Sequence, residues 1–457
     1  MNIKDDFILS NINDGYLVGG AVRDYLLSEN CNFQDRDIAV KGAKAFAKEL
    51  AEQFEGTLIV LDDENQIYRV VLQDKINYLD ISEIVGDSIE EDLQRRDFTI
   101  NAIAYNLKRG EFVDTTGGMD DLKQGIIRTF KESNFTDDPL RLLRAFRFMA
   151  VTGFKPADET KSAITKYKHL LMKPSLERIN YEIMKLFGGK YCSQTLKIMD
   201  EFGILEKVCP YVKEMKQVPP NAHHHLDLFN HSIETVRNIE ELYENADFEI
   251  KKHLDRVDFG GFPRINHLKL AGLLHDIGKF STWTIEEDTH RHRFLKHDDV
   301  GSKMCVQYLK NLKFSKKQIE YISFMIKNHM YPSNVISAPD LSEKVMMRYL
   351  RKTGNNVIDN IILAKADRLS ARGEDITEEM VRANLDGLDK LLNFYLEKRD
   401  SMKPLPKLLD GFDVMKILNI KASSKLGKIL DALKEEQLNG NINTKEEAEE
   451  FIKKYKN

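Results

Sequence analysis

Runs with β-strand character are confined to the first 125 residues, and from residue 120 onward the chain reads almost wholly as helix. Tyr16 to Val18, Ile38 to Val40, Thr57 to Leu61, Tyr68 to Leu72 and Tyr78 to Ile81 are short apolar or β-branched runs bounded by Asp, Asn and Gly. That is the pattern of strands of one sheet joined by polar turns. Leu140 to Ala150, Leu176 to Phe187, Leu268 to Ile277, Ser302 to Leu309, Val357 to Leu369 and Glu378 to Leu396 repeat their apolar residues at helical spacing instead. The division predicts an α+β chain, a small head with a sheet followed by a long helical body. Pro219-Pro220 and Pro404/Pro406 mark expected boundaries.

With 457 residues the chain has room for roughly three domains at the usual ~100–200 residues each. No apolar run approaches the ~18 residues of a membrane span, and Met1 to Phe7 lacks the basic-then-apolar pattern of a secretory leader. Cys31, Cys192, Cys209 and Cys305 stand far apart without a CxxC pair, and read as reduced thiols of a cytoplasmic protein. The net charge of −5 excludes a protein that is basic throughout. Locally, residues 141–190 carry 11 Lys or Arg against 4 Asp or Glu, which suits either a solvated helical face or a track for phosphates.

Within the head, Gly19-Gly20-Ala21-Val22-Arg23-Asp24 follows a strand and opens a helix. Such a turn brings backbone N–H groups close to a phosphate, and Arg23 can neutralise its charge. In Asp35-Arg36-Asp37 the two acids, at alternate strand positions, share a face while Arg36 points away. Two hard oxygen ligands on one face suit Mg²⁺ and a triphosphate. Further along, Asp137-Asp138-Pro139 starts a helix on which Arg141, Arg144 and Arg147 form a stripe. Three unpaired cations on one stripe repel one another, so the spacing predicts an anion against them.

Taken in order, GGAVRD, the Asp35/Asp37 pair, RRDFTINA, Asp114 to Leu122 and DDPLRLLRAFRF resemble the class II nucleotidyltransferases, the CCA-adding tRNA nucleotidyltransferases and bacterial poly(A) polymerases. The resemblance spans roughly residues 16–190 and implies a polymerase-beta-like head with a mixed β-sheet. It assigns Mg²⁺ to Asp35 and Asp37 as the catalytic pair, and the incoming nucleotide to Gly19, Gly20, Arg23, Arg96, Asp97 and Asn101. Asp138 and Arg141, with Arg144 and Arg147 nearby, become the protein template that reads the base. Physically, a carboxylate and a guanidinium complement the amine donor and ring-nitrogen acceptor that CTP and ATP share. UTP and GTP put a carbonyl where the amine should be. The family's usual Glu-Asp-x-x-Arg has Asp137 in place of its Glu. Asp80 reads either as a third carboxylate of the wider polymerase superfamily or as a plain strand-end acid.

In the body, an apolar helix ends in His275-Asp276-Ile277-Gly278-Lys279, and His231, His297, His329 and Asp367 lie near other apolar helical patterns. Imidazoles and carboxylates together make borderline metal ligands. The set resembles the HD phosphohydrolase superfamily over residues 221–370. That resemblance implies His231, His275, Asp276 and Asp367 as ligands of a divalent transition metal such as Ni²⁺ or Mn²⁺, or of Mg²⁺, with His297 and His329 permitting a second ion. His223-His224-His225 reads as structural or substrate-side, with a further metal tract as the other reading.

The expected divisions are 1–127, catalytic head; 128–220, nucleotide-selecting and RNA-binding neck; 221–380, HD domain; and 381–457, helical tail. The expected activity is addition of C, C and A to the 3′ end of tRNA from CTP and ATP, with pyrophosphate released. The alternatives are a poly(A) polymerase, a CC-only or A-only enzyme, and an HD phosphohydrolase whose head merely binds nucleotide. No membrane partner is expected, and the sequence fixes no oligomeric state.

Overall fold

In the computed structural model of the chain, residues 3–28, 35–339, 341–400, 406–438 and 440–455 are described, without the side chains of Lys4, Asp35 and Ser424. Cys31, Pro404 and the Asp35 carboxylate therefore lie outside the described set. The chain divides into two compact units, Met1–Pro210 and Tyr211–Asn457. Pro219-Pro220 falls within the second of these.

The first unit is built on a sheet of seven strands: β1 (Tyr16–Val18), β2 (Asp35–Val40), β3 (Thr57–Asp62), β4 (Ile67–Val71), β5 (Tyr78–Glu83), β6 (Ala104–Asn106) and β7 (Glu111–Val113). Their order is β3-β4-β5-β2-β1-β6-β7. β2 and β5 run parallel while their neighbours pair antiparallel, so the sheet is mixed. β2 lies at its centre with Ile38 and Ala39 fully buried. A strand covered on both faces reads as an unbroken apolar run, which is how Ile38 to Val40 looks in the sequence. β6 and β7 have three residues each, too few for alternation to stand out, and sequence reading passed over them.

The neck helices match their patterns closely. Leu176–Phe187 begins where Ser175 Oγ accepts from the Arg178 N–H, an N-cap. Arg141–Thr152 begins three residues after Asp138 and stops at Gly153, whose φ of 75° suits a left-handed C-terminal cap. A Cβ at Gly153 would come within 2.9 Å of the Tyr191 ring, so glycine serves both the conformation and the packing.

In the second unit, Arg264–Leu274 is buried on every side, its polar Arg264, Asn266, His267 and Lys269 together with its apolar residues. It packs against Leu228–Glu244, Lys316–Asn328 and Val357–Ser370. Helix is not universal here: Trp283–Ile285 and His292–Phe294 form a small antiparallel hairpin, a departure from the helical expectation. The tail helices Gly411–Leu418, Ser424–Leu438 and Lys445–Lys454 close over their own core of Val414, Ile429, Leu433, Ala448 and Ile452. Among the described residues no helix is long and apolar enough to cross a membrane. Cys192, Cys209 and Cys305 are buried and outside any disulfide.

Candidate functional site

Strand register brings the head motifs together. Val18 pairs with Asp37, so the glycine turn that follows β1 is set directly against the second acid of the Asp35/Asp37 pair. Gly19 has a φ of 73° and caps the Gly20–Leu27 helix. A Cβ there would meet Asp37 Oδ2 at 3.4 Å and Arg96 Nη1 at 3.6 Å. The turn, the carboxylate and the arginine thus meet at one point beside a helix N-terminus. Asp35 occupies the alternate position of β2, and Arg36 between them points the other way, into a buried ion pair with Asp6 at 2.6 Å.

Asp80 is the register partner of Asp37 on the parallel strand β5, so both face the same side. Arg69 Nε and Nη2 clamp Asp80 at 2.7 Å each, and the same guanidinium lies 4.1 Å over the Tyr78 ring. This is a two-pronged ion pair on the face that also carries Asp37.

A chain of hydrogen bonds leads from the turn to the neck. Arg23 donates to Asn101 Oδ1 at 2.9 Å, Asn101 Nδ2 donates to Asp97 Oδ1 at 3.0 Å, and Arg144 Nε donates to Asp97 Oδ2 at 2.7 Å. Burial would raise the Asp97 pKa, but Arg144 and Asn101 outweigh it and hold the carboxylate below its usual range. Arg96 is oriented by buried Asp92 at 3.0 Å. Arg141 donates to the backbone oxygen of Arg95 at 2.9 Å, and Asn134 to that of Arg96 at 3.1 Å. The Asp114 to Leu122 stretch supports this corner from below. Asp114 accepts from the Thr116, Gly118 and Met119 N–H groups, and a Cβ at Gly118 would sit 2.2 Å from the Thr99 oxygen.

The arginine stripe corrects the sequence reading in two of its three members: Arg144 and Arg147 are paired with carboxylates, while Arg141 donates to the backbone oxygens of Arg95 and Asn134. Arg144 meets Asp97 at 2.5 Å and Glu182 at 3.5 Å, while Arg147, 9% exposed, meets Glu182 at 3.2 Å. The anions that face Arg144 and Arg147 are therefore the protein's own carboxylates. Burial is costly for Arg144, yet Asp97 and Glu182 raise its pKa. For Arg147 burial dominates, with Arg144 adding repulsion, and its pKa falls to about 10. Arg23, Arg144 and Arg147 all stand over the Phe148 ring, at 5.2, 5.6 and 4.2 Å, which eases the packing of three cations. Asp138 is held by Arg178 at 2.8 Å. Glu182 and Arg178 carry no local signal that marks them in the sequence.

In the second unit the predicted ligands converge. One ligand atom each from His231, His275, Asp276 and Asp367 lies within a 4.8 Å group, and Asp276, His297 and His329 form a second such group. Asp276 stands between them. Its Oδ2 faces His231 and His275 at 3.5 and 3.3 Å, and its Oδ1 faces His297 and His329 at 3.2 and 3.5 Å. Oδ1 is buried without a hydrogen-bond partner, the condition expected of a carboxylate oxygen shaped to receive a cation, while Oδ2 also faces a lysine. Nitrogen and oxygen donors in this mix fit a divalent ion. Desolvation alone would lower His275, but Asp276 and Asp367 override it and raise it to about 10, so a metal entering here displaces a proton.

Two further side chains belong to this cluster. Lys279 Nζ is 2.5 Å from Asp276 Oδ2 and 3.3 Å from His224 Nε2, and the His224 ring lies 4.5 Å from that of His231. Burial and the Lys279 charge push His224 down to about 2, so its ring is neutral. Of the three consecutive histidines, His224 is the one at the cluster. Lys279 lies three residues after Asp276, across the turn that joins two helices, a spacing legible in the sequence but not used.

The Poly A polymerase head domain model matches residues 15–128, the probable RNA and SrmB-binding site of polymerase A matches 153–216, and the HD domain matches 228–372. The A-adding tRNA nucleotidyltransferase of Deinococcus radiodurans is 30% identical over 450 residues, covering 96% of this chain and 95% of that protein. The CC-adding tRNA nucleotidyltransferase of Thermus thermophilus is 28% identical over 98% of this chain and 95% of its own. Among solved structures, a CCA-adding enzyme in its apo form has a TM-score of 0.55 at 22% identity, over 96% of this chain and 89% of that one, a likeness of fold. Similarity of this extent places the chain, head and HD domain included, in the tRNA nucleotidyltransferase family, and it is an enzyme.

Proposed function

We propose that the chain adds C, C and A to the 3′ end of tRNA, using CTP and ATP and releasing pyrophosphate. One observation carries this reading: the Gly19 turn, Asp37 and Arg96 meet at a single point beside a helix N-terminus. Mg²⁺ held by Asp35 and Asp37 would, when bound, neutralise the triphosphate and activate the tRNA hydroxyl. The chain's own residues do the rest. Gly20, Arg23 and Arg96 receive the phosphates, Asn101 and Asp97 fix the position of Arg23, and Asp138 with Arg141 reads the amine edge of the base. We read 1–127 as the head, 128–220 as the nucleotide-selecting and RNA-binding neck, 221–380 as the HD domain and 381–457 as the tail, and place the activity in the cytoplasm. His231, His275, Asp276 and Asp367, with His297 and His329, would hold Ni²⁺, Mn²⁺ or Mg²⁺ for hydrolysis of a phosphoester.

The test offers tRNA ending at its discriminator base with Mg²⁺ and each triphosphate, singly and together, and sequences the products. Growth that stops after C-C-A supports the proposal, and an indefinite A tract rejects it. The names of relatives that match along most of their length, A-adding and CC-adding, set a second reading beside the first, a partial adder. That reading predicts growth ending at C-C, or A addition only to tRNA already ending in C-C. Asp37→Asn should reduce incorporation by about a thousandfold or more, and undiminished incorporation would reject the assigned site.

A further inference from the structure

The Leu176–Phe187 helix contributes two charged side chains one turn apart to the edge that reads the base. Arg178 Nη2 donates to Asp138 Oδ2 at 2.8 Å. Asp138 Oδ1 accepts from the Leu140 N–H at 3.2 Å, so both oxygens of this carboxylate have a fixed direction. Four residues on, buried Glu182 meets Arg144 at 3.5 Å and Arg147 at 3.2 Å. The Arg141–Thr152 helix and the residues leading into it present the opposite order of charge: acid at 138, bases at 144 and 147. Cation faces acid at one end of the contact and acid faces cations at the other, and this sets the register between the two helices.

We propose that Arg178 and Glu182 are positioning residues for nucleotide selection: Arg178 aims the Asp138 carboxylate at the base, and Glu182 holds Arg144 and Arg147 in place. The proposal rests on the reading of Asp138 and Arg141 as the base-recognising pair. Discrimination between an amine and a carbonyl depends on where an acceptor points, because a misdirected carboxylate gains less from CTP and loses less with UTP. Arg178 is 53% exposed, and an exposed ion pair contributes little to folding. Its effect therefore falls on selectivity and not on stability.

The experiment compares wild type with Arg178→Ala, Arg178→Lys and Glu182→Gln in single-nucleotide incorporation on a tRNA primer, taking the ratio of kcat/KM for CTP over UTP and recording thermal melting. Arg178→Ala should lower the ratio about tenfold at unchanged melting temperature, and Arg178→Lys should restore most of it. Glu182→Gln should lower it as well. A ratio within about twofold of wild type in Arg178→Ala overturns the proposal whatever Glu182→Gln does to folding. Asp138→Ala and Arg141→Ala run alongside. If these collapse the ratio and Arg178→Ala does not, the positioning role alone has failed. If none of the variants changes it, the base-reading assignment has failed with it.

Discussion

Asp359 is the group whose loss the second unit should feel most. It is wholly buried and accepts four hydrogen bonds: Arg264 Nε at 3.0 Å, Arg264 Nη2 at 2.9 Å, His253 Nε2 at 2.6 Å and the Tyr321 hydroxyl at 2.6 Å. Burial would raise its pKa, but His253 and Arg264 hold it below the carboxylate range. Asp359→Asn keeps the shape, removes the charge and turns an NH₂ towards one set of donors. Arg264, 2% exposed, then relies on Asp258 at 2.6 Å, Asn356 at 2.7 Å and a longer bond to the Asn355 oxygen at 3.5 Å, beside the one oxygen left at position 359. Breaking a buried pair costs about 3–5 kcal/mol, and the surviving Asp258 contact puts this case at the lower end, about 3 kcal/mol. Trp283 is the only tryptophan of the chain and lies in this unit, so its fluorescence follows the transition in urea. With a slope of about 2–3 kcal/mol per molar, the midpoint should fall by about 1 M. Asp258→Asn removes a carboxylate in a partly exposed pair and should shift it less. A midpoint that moves by under about 0.3 M in Asp359→Asn would refute the account of a single buried anion sustaining Arg264.

Other outcomes follow from the same geometry. His267 is buried, bonded to the Pro263 oxygen and Gln318, and burial lowers it from 6.5 to about 4. Its folded pKa lies below the unfolded one, so the unfolded chain binds the extra proton between these values. Stability should therefore fall by up to about 3 kcal/mol as pH drops from 6.5 towards 4, and urea midpoints in His267→Gln should show a shallower slope. Adding Mn²⁺ or Ni²⁺ at about a hundred times its Kd should stabilise the second unit by about 2.7 kcal/mol, read as a rise in melting temperature. His275→Ala or a chelator should abolish the rise. Gly19→Ala places a side chain at a φ of 73° and 3.4 Å from Asp37 Oδ2. It should cost about 1–2 kcal/mol in the first unit and reduce nucleotide incorporation, and an unchanged rate would show that the close approach is unimportant.

Much of this molecule is legible in local patterns, because strand and helix expose their periods over a few residues. The Leu176–Phe187 helix, the strand at Tyr78–Glu83 and the turn of Arg36 away from Asp37 follow from alternation or a 3.6-residue repeat. The His-Asp set is legible by kind, since few structural roles demand that combination at the end of a buried helix. Short elements without a full period, such as β6, β7 and the Trp283–Ile285 hairpin strand, are not.

Sequence alone thus determined the segregation of sheet from helix, the glycine turn and the acid pair as separate motifs, and the residue types fit to hold metal. Tertiary structure decided what those charges face. Arg144 finds Asp97 across 47 residues and Arg147 finds Glu182 across 35, and the two oxygens of Asp276 are divided between histidine pairs on different helices. A pattern of neighbours along the chain reports conformation, because backbone geometry repeats. Neutralisation of a charge is settled by the nearest opposite charge in space, and that is known only once the helices have packed.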